Sequence, residues 1–138
     1  MKYMFDGLVV DGVKAPQPNE RILKVVLSPQ IGNISNCTVL ISIISPGNGT
    51  GMHKHDVDEI MYVASGRGVG EVLDEVMELR EDVIVFSPKD VEHQVKNTGN
   101  ETLKLVCFFT PPLKPEGYFK EAISKAKQYF NKKNIDKI

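Results

Sequence analysis

Residues 47–66 read GNGTGMHKHDVDEIMYVASG, and this stretch decides the fold. It opens in the turn cluster Pro46-Gly47-Asn48-Gly49-Thr50-Gly51, which must end any strand before it. It then carries His53, His55 and Glu59, and runs through the apolar residues Ile60 to Ala64 to a second stop at Gly66. A second segment, from Pro88 and Asp90 to Asn97, holds His93. All 3 histidines of the chain therefore lie in two short segments with metal-ligand spacing. A chain that spends its whole histidine complement this way is expected to build one metal site.

Working outward, the stretch sits in a run of short apolar segments separated by turn signals every eight to twelve residues or so, the signature of an all-β sandwich or barrel. The expected strands are Ile22 to Leu27, Thr38 to Ile44, Ile60 to Ala64, Val83 to Phe86, Val91 to Lys96 and Leu103 to Phe109. Ser65-Gly66-Arg67-Gly68, Ser87-Pro88-Lys89-Asp90 and Asn97-Thr98-Gly99-Asn100 punctuate them. After Pro111-Pro112 the pattern changes. Tyr118, Phe119, Ala122, Ile123, Ala126, Tyr129 and Phe130 recur with helical period, predicting a helix over 115–130 that packs on its own barrel or on a partner. Pro115 suits its first turn. The lysine-rich tail Asn131 to Ile138 reads as a solvated end.

Composition bounds the function. The chain has 138 residues, the size of one domain, with Lys+Arg 17, Asp+Glu 18 and a formal net charge of −1. That balance points to neither nucleic acid nor an anionic membrane as partner. Met1 to Asp6 lacks the apolar core of a signal peptide, and no apolar run reaches spanning length, so a cytoplasmic location is expected. Cys37 and Cys107 lie in apolar runs and read as buried thiols. Four glycosylation-type tripeptides, such as Asn48-Gly49-Thr50, carry no weight without a secretion signal.

Strand geometry converts the spacing into a site. His53 and His55, two apart on a strand, point to one face about 7 Å apart. Glu59 follows the turn Asp56-Val57-Asp58 and shares a face with Met61 and Val63. Closing this hairpin would bring Glu59 beside the two histidines. His93 belongs to the inward set Val91, His93 and Val95. Three imidazoles and a carboxylate make a site for Fe, Mn, Zn, Ni, Co or Cu as the divalent ion. Held from one side, such an ion keeps one or two positions open for water or substrate.

These residues resemble the two motifs of the cupin superfamily. The first is matched by Gly47, His53, His55, Glu59 and Gly66, and the second by Pro88, His93 and Asn97. The second departs at two family glycines, where this chain has Asp82 and Asp90. Those departures touch turns rather than ligands. The gap Arg67 to Glu81 fits a compact single-barrel member. The resemblance covers about Val39 to Pro112. It implies a small antiparallel β-barrel of the cupin (jelly-roll) type, one domain over 1–138 with a barrel core at about 21–112. It also implies a metal bound by His53, His55, Glu59 and His93, and a homodimer.

Several side chains then acquire expected roles. Gly47 and Gly66 are expected to need positive φ. Pro88 should fix the turn before the His93 strand, and Asn97 should hydrogen-bond a turn rather than touch substrate. Met61, Val63, Val85, Val95 and Phe108 are expected to line the barrel. Asp56, Asp58 and Asp82 read as turn residues, Arg67 as an exposed hairpin residue, and Tyr62 as an outer-face residue. Glu59 is the candidate proton shuttle. Two functions stay open: a metalloenzyme of dioxygenase, isomerase, epimerase or decarboxylase type acting on a small oxygenated molecule, and a non-catalytic module that binds such a molecule.

Overall fold

The computed structural model describes residues 3–135, and side chains as far as residue 132. Met1, Lys2 and residues 136–138, with Lys137 of the expected tail, lie outside the described residues.

The strands form two antiparallel sheets. In chain order they are β1 (Val13–Ala15), β2 (Arg21–Leu27), β3 (Thr38–Ile44), β4 (Asp58–Ser65), β5 (Gly68–Val72), β6 (Glu75–Leu79), β7 (Ile84–Ser87), β8 (His93–Lys96) and β9 (Leu103–Thr110). Helix α1 spans Gly117–Ile135. The larger sheet has the order β1-β2-β3-β9-β4-β7 and the smaller the order β6-β5-β8. The crossovers between the sheets make this a jelly-roll barrel with one C-terminal helix.

The larger sheet follows period-two alternation closely. In β3 every second residue from Thr38 to Ile44 is buried, and in β9 the same holds from Leu103 to Phe109. Register lines these inward residues into rows. One row joins Thr38, Phe109, Glu59 and Ser87, and the next joins Leu40, Cys107, Met61 and Val85. Apolar side chains of these rows meet Leu79 and Val95 of the smaller sheet in a single buried cluster. Burying a large aliphatic or aromatic side chain stabilises by about 1.5–3 kcal/mol, so these rows hold the sheets together.

Helix α1 packs on β1 and β2 of its own chain through Ala122, Ile123, Ala126 and Phe130, all buried. It continues past the expected end at Phe130 to Ile135, so the expected solvated tail begins as helix. Among the described residues no helix is long and apolar enough to cross a membrane. Three strands had no counterpart in the sequence reading: β1, β5 and β6. The expected strand from Val91 starts at His93, because Val91 still belongs to the Pro88 turn through its N–H to the Pro88 carbonyl (3.1 Å).

Turns fall where the punctuation residues stand. Gly47 and Gly66 have φ of 84° and 92°, and a Cβ on Gly66 would sit 2.4 Å from the Thr102 carbonyl oxygen. Asp82 and Asp90 adopt φ of 72° and 64°, so they keep the left-handed conformation in which the resemblance expects glycine. Aspartate tolerates that region better than most residues. Cys37 and Cys107 are unpaired, with Cys107 buried and Cys37 only half-buried.

Candidate metal centre

The histidines reach the site by a route that hairpin reasoning did not foresee. Residues 47–53 form an irregular strand edge along β8. Thr50 N–H donates to Val95 O (2.9 Å), and Asn97 N–H donates to Asn48 O (2.9 Å). His53 and His93 then exchange both backbone bonds, at 3.0 and 2.8 Å. They are therefore directly opposed, and their ring centroids lie 4.3 Å apart. His55, two residues on, lies outside any strand, and its carbonyl accepts the Asp90 N–H at 2.8 Å. The chain next crosses to the larger sheet, where Glu59 is the second residue of β4.

The hairpin between the His53–His55 segment and the Glu59 strand does not form. Strand β4 pairs with β7 and β9 instead. Glu59 approaches the histidines across the sandwich, from the opposite sheet. The inward parity assigned to Glu59, Met61 and Val63 holds, and that parity aims the carboxylate at the imidazoles.

One ligand atom from each of His53, His55, Glu59 and His93 lies within 4.8 Å of the others. Glu59 Oε1 is 2.9 Å from His93 Nε2 and 3.5 Å from His55 Nε2. Backbone carbonyls orient two of the rings: His53 Nδ1–H donates to Gly51 O (2.8 Å) and His93 Nδ1–H to Val91 O (3.0 Å). Each of those rings is thus left with Nε2 for the centre. A second hydrogen bond of this kind is what fixes the tautomer of a metal-binding histidine.

Charge follows burial. Desolvation pushes the His53 imidazolium down to about 4, against a weaker pull from the Gly51 carbonyl, and also pushes His55 down. Both rings are neutral near pH 7, the state in which imidazole binds metal. For His93, burial also opposes the charge, but the hydrogen bond to Glu59 and the Val91 carbonyl outweigh it and hold the group above its usual value. His93 thus has both ring nitrogens engaged, Nδ1 with the Val91 carbonyl and Nε2 with Glu59 Oε1. A metal held by both would take the place of that Nε2–Oε1 hydrogen bond, so the donor set fits a divalent ion of the N/O-binding class.

Beside the cluster lies a cavity of about 30 Å³, lined by the three site residues His53, His55 and Glu59 and by mostly apolar walls. That is room for one or two water-sized groups. Met61, Leu40, Leu105, Cys107 and Phe109 contribute from the larger sheet, and Phe119 from the first turns of α1. The rings of Phe109 and Phe119 stand 5.2 and 6.0 Å from His55. Phe108, expected in the wall, instead faces out and is 37% exposed. Parity within β9 separates the two phenylalanines, because Phe109 falls in phase with Leu103, Leu105 and Cys107, and Phe108 with Lys104 and Thr110. Register agrees, because Phe109 pairs with the inward Glu59.

Arg21, Ser42 and Thr50 are further wall residues that the sequence reading did not single out. The signal for Arg21 was its parity with Leu23 and Val25 in β2. Other expected roles match the geometry. Asn97 donates to Ile44 O and Glu101 O (both 2.8 Å), and Tyr62 faces out and bonds to Asp82. Asp56 pairs with Lys114 (3.1 Å), and Asp58 accepts the Lys89 N–H. Asp58 itself opens β4 rather than lying in a turn. Arg67 and Arg80 line open depressions of about 570 Å³ that contain none of the four site residues. They stand beyond the far end of β4, roughly 20 Å of strand from Glu59.

Comparison with known proteins gives a consistent result. The family model described as the cupin domain matches residues 40–109, which takes in all four site residues. An uncharacterized protein of Methanocaldococcus jannaschii is 30% identical over 96 residues, covering 69% of this chain and 77% of its own length. The polyketide synthase CurC of Streptomyces cyaneus is 31% identical over 112 residues, covering 78% of this chain and 71% of its own. Among solved structures, one described as a predicted oxalate decarboxylase from Thermotoga maritima superposes with a TM-score of 0.71 at 19% identity. It covers 79% of this chain and 99% of its own. KdgF from Halomonas gives 0.65 at 19% identity, over 79% and 94%. At such identities the two structures speak to the fold alone.

Proposed function

The chain belongs to the cupin family, and from that premise we propose that it binds one divalent transition metal through His53, His55, Glu59 and His93 and acts as a small metalloenzyme on a small oxygenated molecule. The single observation that carries the reading is the convergence of three imidazoles and one carboxylate within 4.8 Å, two of the rings being oriented by backbone carbonyls. A bound divalent ion would supply Lewis-acid polarisation of a substrate oxygen and, if redox-active, electron-transfer chemistry. The reaction classes in view are dioxygenase, isomerase and decarboxylase.

The chain's own residues do the rest. Gly51 O and Val91 O keep the His53 and His93 rings aimed at the centre. Phe109 and Phe119 shield the His55 side from bulk water, which strengthens electrostatic interactions inside. Glu59 is the residue proposed to move a proton, because its Oε1 lies 2.9 Å from His93 Nε2, within hydrogen-bond distance.

A non-catalytic binding module is the second reading, and one observation favours it. Among the described residues that line the cavity, Glu59 is the only carboxylate and no lysine joins it. If Glu59 is committed to the metal, no other carboxylate or lysine stands there as a general base.

Elemental analysis of untagged protein tests the metal. The expected stoichiometry is about one divalent ion per chain. A folded protein with stoichiometry near zero would overturn the proposal. Metal identity then separates the chemistries: iron with O2 uptake supports a dioxygenase, while zinc or manganese without O2 uptake supports isomerase or lyase chemistry. Saturable ligand binding without turnover for any of these metals supports the binding module.

Two further parts of the proposal concern context. A homodimer is supported by the outer face of the larger sheet, where Phe86, Ile60 and Phe108 are 53%, 37% and 37% exposed and adjacent in register. A cytoplasmic location is supported by two unpaired cysteine thiols.

A further inference from the structure

Arg21 and Ser42 share an unusual position: both are polar residues in the apolar wall of the cavity. Ser42 is 3% exposed, and its hydroxyl has no hydrogen-bond partner. An orphaned buried hydroxyl is costly, and one facing a cavity calls for a ligand. Arg21 is half-buried and spends one N–H on the Asn19 carbonyl (2.9 Å). Among the described residues no carboxylate lies within ion-pair distance of it. A guanidinium presents five N–H donors in a planar fork, so most of its capacity is left over.

The two residues are neighbours. Leu23 of β2 pairs with Ser42 of β3, and Arg21 stands two residues from Leu23 on the same inward face. Diagonal partners of this kind lie roughly 7–8 Å apart, a span that one small ligand bridges. Leu23 and Leu105 flank Ser42 in register and also line the cavity.

The charge balance fixes the sign of that ligand. Glu59 offsets only one of the two charges of a divalent ion, and Arg21 adds a further positive charge to the same apolar cavity. An excess of buried positive charge favours an anion. The planar fork of arginine matches a carboxylate in two-point contact. A cavity of about 30 Å³ that is not closed off from solvent limits the ligand to a small molecule, part of which lies at its mouth.

We propose that Arg21 and Ser42 form the anion subsite of this pocket, so that its substrate is a short-chain carboxylate whose carboxyl group sits on Arg21 and the Ser42 hydroxyl with its other oxygen toward the His53–His55–Glu59–His93 cluster. The inference names the substrate class of the proposed metal site and rests on that reading for the placement of the second oxygen. It assigns Arg21 and Ser42 to specificity, with no part in bond breaking.

Lactate and lactamide test it, because they match in size and differ in charge. Calorimetric titration of the manganese-loaded wild type should show lactate binding at least about tenfold more tightly than lactamide. Arg21→Gln, which retains a donor for Asn19, should reduce that preference to under about threefold with the manganese content unchanged. Arg21→Lys should fall between the two. Ser42→Ala should leave thermal stability unchanged or raised and should weaken lactate alone. A wild type without preference, or an Arg21→Gln protein that keeps the full preference, overturns the proposal. If Arg21→Gln fails to fold, the Arg21→Lys and Ser42→Ala titrations decide, and full preference in both overturns it. Should the wild type take up no metal, the metal reading fails by itself. The subsite is then judged by whether lactate, and not lactamide, raises the melting temperature of wild type but not of Arg21→Gln.

Discussion

The two faces of the six-stranded sheet are built by the same alternation and end in opposite chemistry. On the inner face, Glu59 stands between Phe109 and Ser87, and the row is closed off from water. On the outer face, one residue along, Ile60 stands between Phe108 and Phe86, and all three remain open to solvent. A carboxylate is thus buried while a cluster of large apolar side chains is exposed. Hydrophobicity alone would sort these residues the other way. The inversion suits the roles proposed for the two faces: a buried polar group is stabilised by partners of opposite character, and an exposed apolar row by a covering surface.

Phe108 and Phe109 give the sharpest test of this contrast, being chain neighbours of identical composition on opposite faces. Phe109→Ala removes a side chain that is 2% exposed and leaves a cavity against His55. It should cost about 3–5 kcal/mol in chemical denaturation. Phe108→Ala, measured in dilute protein, should cost less than about 1 kcal/mol. Equal costs would mean that the two faces are buried alike and that the contrast is false.

The inner face is next tested at its candidate metal ligands. His93→Ala should weaken divalent-metal affinity by more than about 100-fold, since losing even an orienting partner of a ligand costs 10–100-fold. Glu59→Ala should also weaken metal binding and leave the fold intact, as read by competition with a chromophoric chelator. If Glu59→Ala instead melts the protein while metal is retained, the carboxylate serves structure and not the metal.

How much of this was legible in sequence differs between the faces as well. The site was legible because histidine is rare and its spacing is strict, and because strand parity carries Glu59, Met61 and Val63 inward together. The route was not. Hairpin closure is a local rule, whereas residues 47–53 pair with β8 some forty residues away in sequence, through the His53–His93 backbone exchange. Strands β5 and β6 escaped for two physical reasons. Gly68 and Gly70 occupy the inward positions of β5, where a Cβ on Gly68 would meet the Lys96 carbonyl oxygen at 2.2 Å. Glycines required by close approach look like turn signals in sequence. Strand β6 is exposed from Glu75 to Glu78, so it has no buried face to imprint a period. The outward position of Phe108 was legible from its phase with Lys104 and Thr110, but its bulk and apolarity favoured the wall and masked that phase.

That patch is tested by charge. Phe86→Glu places a carboxylate at its most exposed aromatic position. If two copies meet there, the dimer dissociation constant should rise at least about tenfold in sedimentation equilibrium, with metal content unchanged. A wild type that sediments as a monomer at all concentrations removes the reason offered for the exposed row.

The smallest effect concerns how the inner face is held in register with the smaller sheet. Asp90 donates its N–H to the His55 carbonyl at 2.8 Å while its backbone sits at φ 64°. The left-handed conformation is therefore tied to the position of a site histidine. A residue with a Cβ pays roughly 1–2 kcal/mol there, less for aspartate than for a branched side chain. Asp90→Gly relieves that strain but loosens the unfolded chain, which offsets about 0.4–1 kcal/mol of the gain. The expected net change is a stabilisation of under about 1 kcal/mol with metal affinity unaltered. Asp90→Val should destabilise by about 1–2 kcal/mol and, by shifting His55, weaken metal binding in the same protein. A valine variant that loses stability yet keeps full metal affinity would show that the turn and the site are independent. Loss of both together would show that a single backbone bond carries the strain of a surface turn into the metal centre.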